Sequence, residues 1–372
     1  MPASRYVLGA MTGTSLDGLD VALVRVDGVG LDMTTEYLGL VSRPLGELAD
    51  ELRSFAAGDS HPALTFSLTS RTLGQAYADA CVECIEQFLP AGESLDLVVA
   101  HGQTIWHAPE DGVSWQLFDP MPCCHALRAT VCFNLRQADL VAGGEGAPIT
   151  PLADWVMYRH PEKHRLVMNL GGIANVTSLP PNRPIEQITG GDIGPCNILI
   201  DGTVQRLFKG KMFDEDGTIA QSGTASDCIS KILEAHPALF GEGHHSLGRE
   251  DFPEQWIDRL VGDLRKTVEP ADLVASAVEG VATLVASVAA PEADELILAG
   301  GGARNPALVE RIAALSPFES VVTSDEVGIP CEAREAAGFA VLGALSQDGV
   351  PITLTRITGA QRPGRAGMWV FP

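Results

Sequence analysis

The chain has 372 residues, of which 45% are hydrophobic and 20% are charged. This composition excludes a disordered chain, and the length predicts two or three domains. Its 25 Lys and Arg residues against 48 Asp and Glu residues give a net charge of −23, which repels phosphate backbones and anionic lipids, so we expect no nucleic-acid and no membrane-surface partner.

The first predicted elements form a strand, a glycine-containing turn and a second strand. Apolar runs at residues 6–10 and 19–26 flank the turn at 12–18. A similar unit recurs near the middle of the chain, with strands at 166–170 and 175–179 around Gly171-Gly172. Two such units half a chain apart suggest a duplicated architecture.

Helical and further strand patterns fill most of the rest. We predict helices at 67–89, 197–208, 306–315 and 332–345, strands at 95–100 and 295–299, and loops at 190–195 and 349–372. The alternation of strands and helices indicates α/β layers. The apolar run 274–290 carries Glu279 and predicts a buried helix rather than a membrane span.

The start of the chain and the cysteines indicate a cytoplasmic protein. Residues 1–5 show no secretory signal. The eight cysteines are scattered, as is typical of a reducing compartment. Cys81 and Cys84 have CxxC spacing, but they lie in a helical pattern without a second pair, so they are interpreted as helix residues rather than a metal or redox site.

Three glycine-rich turns could present backbone N–H groups to phosphate: Gly13-Thr14-Ser15, Gly171-Gly172 and Gly300-Gly301-Gly302. Each alone is weak, because tight turns need glycine anyway. Three in one α/β chain favour a nucleotide held between two halves. In the first turn, hydroxyls can donate to phosphate, and Asp17 and Asp20 could hold Mg²⁺ directly or through water. The alternative is a turn aspartate that bonds its own backbone.

Asp192 lies between glycines ahead of a predicted helix, which suits a general base, the alternative being a helix cap. His101 follows the strand at 95–100, where α/β folds place ligands, and is interpreted as a hydrogen-bonding or structural residue. The sequence lacks the G-x-S-x-G, G-x-x-x-x-G-K-[ST] and G-x-G-x-x-G motifs. Serine hydrolases, P-loop folds and dinucleotide-binding folds are therefore unsupported.

These motifs together resemble one known family, the anhydro-N-acetylmuramic acid kinases of the actin/hexokinase/Hsp70 superfamily. The resemblance runs along nearly the whole chain. It is carried by Gly13-Thr14-Ser15-Leu16-Asp17-Gly18-Leu19-Asp20, His101-Gly102-Gln103-Thr104, Asn169-Leu170-Gly171-Gly172-Ile173-Ala174-Asn175, Gly300-Gly301-Gly302-Ala303-Arg304-Asn305, Glu335-Ala336 with Phe339-Ala340, and Thr358-Gly359-Ala360.

The resemblance implies an α/β, two-lobe actin-like ATPase (ribonuclease H-like) fold with a duplicated core and a central nucleotide cleft. It implies an ATP-dependent kinase in cell-wall recycling that hydrolytically opens the 1,6-anhydro ring of the sugar and phosphorylates O6. Asp192 is then the catalytic base, and Asp17 and Asp20 serve Mg²⁺. Sugar binding falls to His101, Gln103, Arg136 and Glu335. ATP binding falls to Gly13, Thr14, Ser15, Leu16, Asp17, Gly18, Leu19, Asp20, Gly171, Gly172, Gly300, Gly301, Gly302 and Asn305.

The sequence departs from the family pattern in four segments. Ile193 replaces Thr and Cys196 replaces Gly in the base loop, Asn134 replaces Asp before Arg136, and Glu145 replaces Gln. The family's P-K-S-T-G-R-E is changed at residues 244–250. A kinase for another anhydro-sugar, such as levoglucosan, and a degenerate nucleotide-binding regulator are the alternatives. We place one lobe at 1–130 with 350–372 and the other at 131–349, and a homodimer is left open.

Overall fold

The computed structural model describes residues 4–13, 16, 18–240, 247, 251–287 and 292–372. Its strands are β1 (Arg5–Thr12), β2 (Gly18–Asp27), β3 (Thr34–Pro44), β4 (Leu97–Ala100), β5 (Gln103–Ala108), β6 (Val113–Leu117), β7 (Thr130–Phe133), β8 (Arg165–Leu170), β9 (Ile173–Leu179), β10 (Thr189–Pro195), β11 (Glu295–Ala299), β12 (Ser320–Thr323) and β13 (Met368–Val370).

Its α-helices are α1 (Glu47–Ala56), α2 (Ala63–Phe88), α3 (Met121–Leu127), α4 (Gln137–Val141), α5 (Pro151–Tyr158), α6 (Asn197–Leu207), α7 (Thr218–Ser222), α8 (Cys228–Glu234), α9 (Pro237–Phe240), α10 (Glu254–Leu264), α11 (Pro270–Ser287), α12 (Pro306–Leu315), α13 (Arg334–Gln347) and α14 (Thr355–Thr358). The chain divides into a first unit, residues 1–157 with 333–372, and a second unit, residues 158–332.

The first unit is built on a sheet with the strand order β13-β7-β4-β1-β2-β3. Strands β1, β2 and β3 are antiparallel neighbours, whereas β4 and β7 run parallel to β1. Apolar side chains of β1, β2 and β4 are buried beneath α2, and α13 covers part of the sheet. A Cβ atom on Gly9 would lie 1.9 Å from the Ala336 carbonyl oxygen, so glycine is what lets α13 approach β1.

The second unit repeats this plan in the order β10-β9-β8-β11-β12. Strands β8, β9 and β10 are antiparallel, and β11 and β12 continue parallel to β8. Helix α11 is the one described helix that is long and apolar enough to cross a membrane, yet more than half of it is buried in this unit. Its buried residues pack with α6 and α8 in the core, as expected for a buried helix.

The two sheets therefore share one topology over five strands, and β13 adds a sixth strand to the first sheet. In each, three antiparallel strands are followed by two parallel strands that continue from the first, the arrangement of a ribonuclease H-like fold. The predicted α/β class and the duplicated core are confirmed, since the hairpin β1–β2 corresponds to the hairpin β8–β9.

Several local predictions were wrong. Residues 190–195 form strand β10 rather than a loop, because they pair with β9 through a bulge between Asp192 and Gly194. The tail after Gly349 is not only loop: α14 lies in it, and β13 pairs with β7. The units also divide at other positions than 130/131 and 349/350, because α13 packs on β1 and β2 of the first unit.

Candidate active site

In the first unit, predicted site residues lie at the carboxyl edge of the sheet. Strands β1, β4 and β7 are parallel and end at Thr12, Ala100 and Phe133. The backbone N–H of His101 donates to the Ala10 carbonyl, and the Thr12 hydroxyl donates to the Gly102 carbonyl at 3.1 Å. The topology thus brings the first glycine turn and the His101-Gly102-Gln103 segment to one edge, as is usual for ligand sites of α/β folds.

His101 and Arg136 contact each other directly. Arg136 Nε donates to His101 Nε2 at 3.1 Å, and Arg136 Nη1 donates to the Gly146 carbonyl at 2.8 Å. The other ring nitrogen, His101 Nδ1, donates to the Gly102 carbonyl at 2.9 Å. The histidine is therefore in the neutral tautomer that carries its proton on Nδ1, because Nε2 has to accept from the guanidinium.

Burial controls the protonation of this pair. Burial and then the positive charge of Arg136 lower the pKa of His101 to about 3. Burial lowers the pKa of Arg136 to about 10, against the opposing effect of the Glu335 carboxylate. The site therefore presents a neutral imidazole beside a charged guanidinium at physiological pH.

Glu335 belongs to the same group of residues. It lies in the first turn of α13, and Phe339, one turn further along, packs against the His101 ring with centroids 4.8 Å apart. Gln103 is buried, and its Nε2 donates to the Thr104 carbonyl at 3.2 Å. Its Oε1 is buried and accepts no hydrogen bond from the described residues, so one acceptor of this side chain is left unsatisfied.

The first glycine turn is described only in part. Thr14, Ser15 and Asp17 lie outside the described residues. Leu16 adopts a left-handed backbone with φ 59° and is buried. Asp20 Oδ1 accepts from the hydroxyl of its cross-strand partner Ser42 at 2.5 Å, and Gly18 lies beside it in the same shallow depression.

The remaining residue assigned to this turn, Leu19, is buried at 2% exposure in the first core. Its side chain packs in that core, so only its backbone could meet a nucleotide.

In the second unit, Asp192 lies in a row of polar residues that crosses the sheet. Asp192 on β10 pairs with Asn175 on β9, Asn175 pairs with Asn169 on β8, and Asn169 pairs with Ala299 on β11. Residues that pair across neighbouring strands project from the same face. The row therefore leads from the predicted base to the glycine turn that begins at Gly300.

The other two glycine turns meet this row. A Cβ atom on Gly300 would lie 2.4 Å from Asn169 Oδ1, and the backbone has a φ of 81°. Both the close approach and the left-handed backbone require glycine at this position. The Gly171 and Gly172 carbonyls accept from the N–H groups of Asn197 and Cys196 at 3.0 and 2.9 Å. The start of α6 is thus bonded to this turn.

Asn305 has a structural task in addition to its predicted ligand role. Its side chain caps α12, with Oδ1 accepting from the Leu308 N–H at 3.2 Å. A cavity of about 440 Å³ beside α12 is lined by small residues such as Gly223, Ala275 and Ala307 and also by the charged residues Asp227, Glu279 and Arg311. Its walls therefore combine apolar and charged groups.

Two of the departures from the family pattern concern packing. Ile193 and Cys196 are 8% and 0% exposed and belong to the core of the second unit. Asn134 has a left-handed backbone with φ 54°, which Asn and Asp both tolerate. The changed segment 244–250 lies outside the described residues except for Leu247, whose N–H donates to Asp192 Oδ2 at 2.9 Å.

The described residues offer little to a metal ion. Within them, no three His, Cys, Asp or Glu side chains come together as a metal site. Asp20 is the described member of the predicted magnesium pair, and one of its oxygens is engaged by Ser42. These residues fit a Mg²⁺ that is held mainly by phosphates and water.

Sequence reasoning missed residues that support the site from behind. The sequence motif alone gives Asn169 and Asn175 no role of their own, although both lie in the row with Asp192. It gives none to Asp139 or Thr358 either, yet the Thr358 hydroxyl donates to Asp139 at 2.8 Å beside the loop that contacts Arg136. The motif Thr358-Gly359-Ala360 is the sequence feature that could have indicated this supporting role.

Comparison with known proteins agrees with these motifs. Residues 5–372 match the family described as anhydro-N-acetylmuramic acid kinase. The anhydro-N-acetylmuramic acid kinase of Bacillus thuringiensis subsp. konkukian is 34% identical over 381 aligned positions, which cover 99% of this chain and 99% of that protein. The protein of the same name from a strain of Bacillus cereus is 35% identical over 382 positions, with the same coverage.

Among solved structures, a ROK family glucokinase from Streptomyces griseus in complex with glucose and AMPPNP is 13% identical, covers 91% of this chain and 98% of its own, and superposes with a TM-score of 0.39. The sequence matches are far stronger than this likeness. Since they extend over residues 5–372 and include the motifs around His101, Asn169 and Gly300, this chain belongs to the anhydro-N-acetylmuramic acid kinase family.

Proposed function

We propose that this protein uses ATP and water to convert 1,6-anhydro-N-acetylmuramic acid into N-acetylmuramic acid 6-phosphate. The observation that carries the proposal is the row that joins Asp192 to the Gly300 turn within a chain of this family. The relatives are named for the same sugar. Because the anhydro-sugar comes from the cell wall, we assign its conversion to cell-wall recycling.

Asp192 serves as the general base. It takes a proton from a water molecule, the water oxygen bonds to the anomeric carbon, and the bond from that carbon to O6 breaks. The freed O6 then attacks the γ-phosphorus of ATP, and the bond to the ADP oxygen breaks. A half-buried carboxylate suits this task, because it activates water and offsets the positive charge that develops on the sugar ring.

The residues around His101 bind the sugar. Arg136 uses Nε and Nη1 within the protein, and its Nη2 has no hydrogen-bond partner among the described residues. A guanidinium held in this way suits the lactyl carboxylate of the substrate. Gln103 Oε1 supplies an acceptor for a sugar hydroxyl or amide N–H.

ATP binding is assigned to the glycine turns, with the adenine in the cavity beside α12. The small residues Gly223, Ala275 and Ala307 leave room for a flat ring, and Gln221 and Ser226 supply polar atoms in the same lining. Bound Mg²⁺ would neutralise phosphate charge, with Asp20 and Asp17 reaching it directly or through water. Thr14 and Ser15 are proposed to donate to phosphate.

Two departures from the family pattern, at Ile193 and Cys196, do not favour another sugar. Ile193 and Cys196 pack in the core, so neither changes a surface that could contact a ligand. Glu145 is half-buried, and its backbone N–H donates to the Thr358 carbonyl. The lactyl-bearing sugar is therefore the proposed substrate.

A substrate panel tests this function. Phosphorylation of anhydro-N-acetylmuramic acid, anhydro-N-acetylglucosamine and levoglucosan is compared by kcat/KM, with the product identified by mass spectrometry. We expect the lactyl-bearing sugar to be preferred by at least about tenfold. The reverse preference would move the assignment to a neutral anhydro-sugar, and inactivity on all three would favour a regulatory nucleotide-binding protein.

The same assay tests the base. Asp192→Asn should retain ATP binding and lose roughly 10²–10⁴-fold in kcat, as is usual when a general base is removed. Asp258→Asn is the matched control, because Asp258 is an exposed partner of Arg206 in the same unit. Near-normal turnover by Asp192→Asn would exclude the proposed base.

The cellular setting is part of the proposal. All eight cysteines are unpaired and seven of them are buried, which suits the reducing cytoplasm. A homodimer is also proposed, and light scattering on the purified protein measures its mass directly. A mass near 39.3 kDa would indicate a monomer instead.

A further inference from the structure

Asp139 is a buried carboxylate that no step of the proposed reaction uses. It lies in the short helix α4 and is 1% exposed. Its Oδ2 accepts from the Gly146 N–H at 2.9 Å, and its Oδ1 accepts from the Thr358 hydroxyl at 2.8 Å. A buried carboxylate is costly unless hydrogen-bond donors satisfy it, so the loss of either bond would destabilise the fold around Asp139.

The loop after α4 folds tightly around this carboxylate. The Gly144 N–H donates to the Asp139 carbonyl at 3.0 Å, and a Cβ atom on Gly144 would lie 2.3 Å from Asp139 Oδ2. Gly146 has a left-handed backbone with φ 69°. These constraints fix the direction of the Gly146 carbonyl.

That carbonyl holds the arginine of the proposed sugar site. Gly146 accepts from Arg136 Nη1 at 2.8 Å, and Arg136 Nε in turn donates to His101 at 3.1 Å. A continuous series of hydrogen bonds thus runs from Thr358 through Asp139, Gly146 and Arg136 to His101. Every bond in it lies within the first unit.

The segment that contains Thr358 is bonded to the same loop at two more points. The Thr358 carbonyl accepts from the Glu145 N–H at 2.8 Å, and the Gln361 N–H donates to the Ala142 carbonyl at 2.9 Å. The Ala360 side chain fills the space next to Gly144. The C-terminal segment 358–361 therefore serves as a support for the loop 142–146.

We propose that Asp139 and Thr358 are positioning residues that hold the Arg136 guanidinium in the orientation that binds the carboxylate of the sugar. The inference rests on the proposed function, in which Arg136 meets the lactyl group. Its specific consequence is that both residues affect the affinity for the sugar, although neither touches it. The affinity for ATP is left unchanged, because the series of bonds contains no residue assigned to ATP.

Thr358→Val tests the inference, because it removes the hydroxyl and keeps the shape of the side chain. We expect the KM for the anhydro-sugar to rise about tenfold or more while the KM for ATP stays within about twofold. Thr358→Ser, which retains the hydroxyl, should restore the wild-type KM. Asp139→Asn is the second variant, for use if Thr358→Val does not fold. It should likewise raise the KM for the sugar and leave the KM for ATP unchanged.

Ser346→Ala is the matched control. Ser346 is also a buried hydroxyl that anchors the C-terminal segment, with Oγ donating to the Ala366 carbonyl at 2.5 Å, but its hydroxyl forms no hydrogen bond with the described loop 142–146. Its sugar KM should equal that of the wild type. Equal effects of Ser346→Ala and Thr358→Val would show general loosening and overturn the inference, as would an unchanged sugar KM in Thr358→Val.

A readout without turnover comes from the histidine. In the wild type, the ¹⁵N spectrum should show His101 with its proton on Nδ1 and with Nε2 accepting a hydrogen bond. Thr358→Val should shift the Nε2 signal, because Arg136 is displaced, and an unchanged signal would contradict the inference. A wild-type enzyme that is inactive on the sugar would refute the proposed function instead, so the two failures are distinguishable.

Discussion

At the scale of single residues, the pairing of a neutral histidine with an arginine is the most informative feature of the site. Burial disfavours an imidazolium, and the charge of Arg136 repels it further, so His101 stays neutral. The arrangement uses the histidine's lone pair to fix the guanidinium. In the proposed reaction, His101 would therefore act through the orientation of Arg136 rather than as an acid or base.

This protonation state has a consequence for stability against pH. The pKa of His101 is about 3 when folded, against about 6.5 when unfolded, so between these values the unfolded chain binds a proton that the folded chain does not. Stability is therefore lost as the pH falls below about 6.5. From pH 7 to pH 5 this residue should cost roughly 2 kcal/mol.

Urea unfolding of the wild type and of His101→Gln at both pH values isolates this contribution. The wild type should lose roughly 2 kcal/mol more than the variant between pH 7 and pH 5. Parallel losses in the two proteins would mean that His101 is protonated in the folded state.

At the scale of elements, the position of α13 on the first sheet depends on one glycine. Gly9 faces the helix so closely that a Cβ atom would lie 1.9 Å from the Ala336 carbonyl oxygen and 2.5 Å from the Ala340 nitrogen. Both are backbone atoms, so a side-chain rotation cannot relieve the clash. Since Glu335 lies on the same helix, the packing also positions a residue of the proposed sugar site.

Gly9→Ala should accordingly lower the free energy of unfolding by roughly 1–3 kcal/mol, because the helix has to move away from β1. Gly262→Ala is the control, since Gly262 lies in α10 with no atom within 4 Å of an added Cβ. There alanine should stabilise by about 0.5–1 kcal/mol. Thermal and urea unfolding measure both, and equal shifts in the two variants would contradict the close packing.

The elements also show what sequence patterns could and could not predict. The apolar strands and the long helices were predicted because their periodicity is local, as in β8 and α6. Strand β10 was predicted as a loop, because Gly190, Gly191, Gly194 and Pro195 have low strand propensity, which pairing with β9 overrides.

The site motifs around His101 and Asp192 can be recognised from the amino-acid sequence alone. The supporting bond between Asp139 and Thr358 could not, because it joins residues 219 positions apart and neither type is diagnostic. Which helix belongs to which unit was also not predictable, since the contact between Gly9 and Ala336 is set by tertiary packing.

At the scale of the whole molecule, the chain leaves the first unit after Met157 and returns to it at Ala333. A buried ion pair lies beside both passages. Arg334 donates to both carboxylate oxygens of Asp154, at 3.0 and 2.6 Å, and the two side chains are 2% and 0% exposed. Two segments of the first unit, one on each side of the second unit in the sequence, are thus tied to each other.

Arg334→Met should lower the free energy of unfolding by roughly 3–5 kcal/mol, because it leaves the Asp154 carboxylate buried without its partner. The double variant Asp154→Leu/Arg334→Met should recover most of that loss, since replacing both charges with apolar groups is often nearly neutral. Chemical unfolding of the three proteins gives the comparison. A double variant as unstable as the single one would show that the charges themselves are required.

Because residues 358–361 support the loop 142–146, a homologue that lacks the C-terminal segment should be impaired in sugar binding. A reading frame that stops just before Thr355 would still encode every residue assigned to ATP or to the sugar. It would nevertheless lose the hydroxyl bonded to Asp139 and the edge strand β13 that pairs with β7. Such a truncated homologue would keep all the motifs assigned to ligands in an alignment, and we expect it nevertheless to bind its sugar poorly. A purification tag is better fused to the other end of the chain.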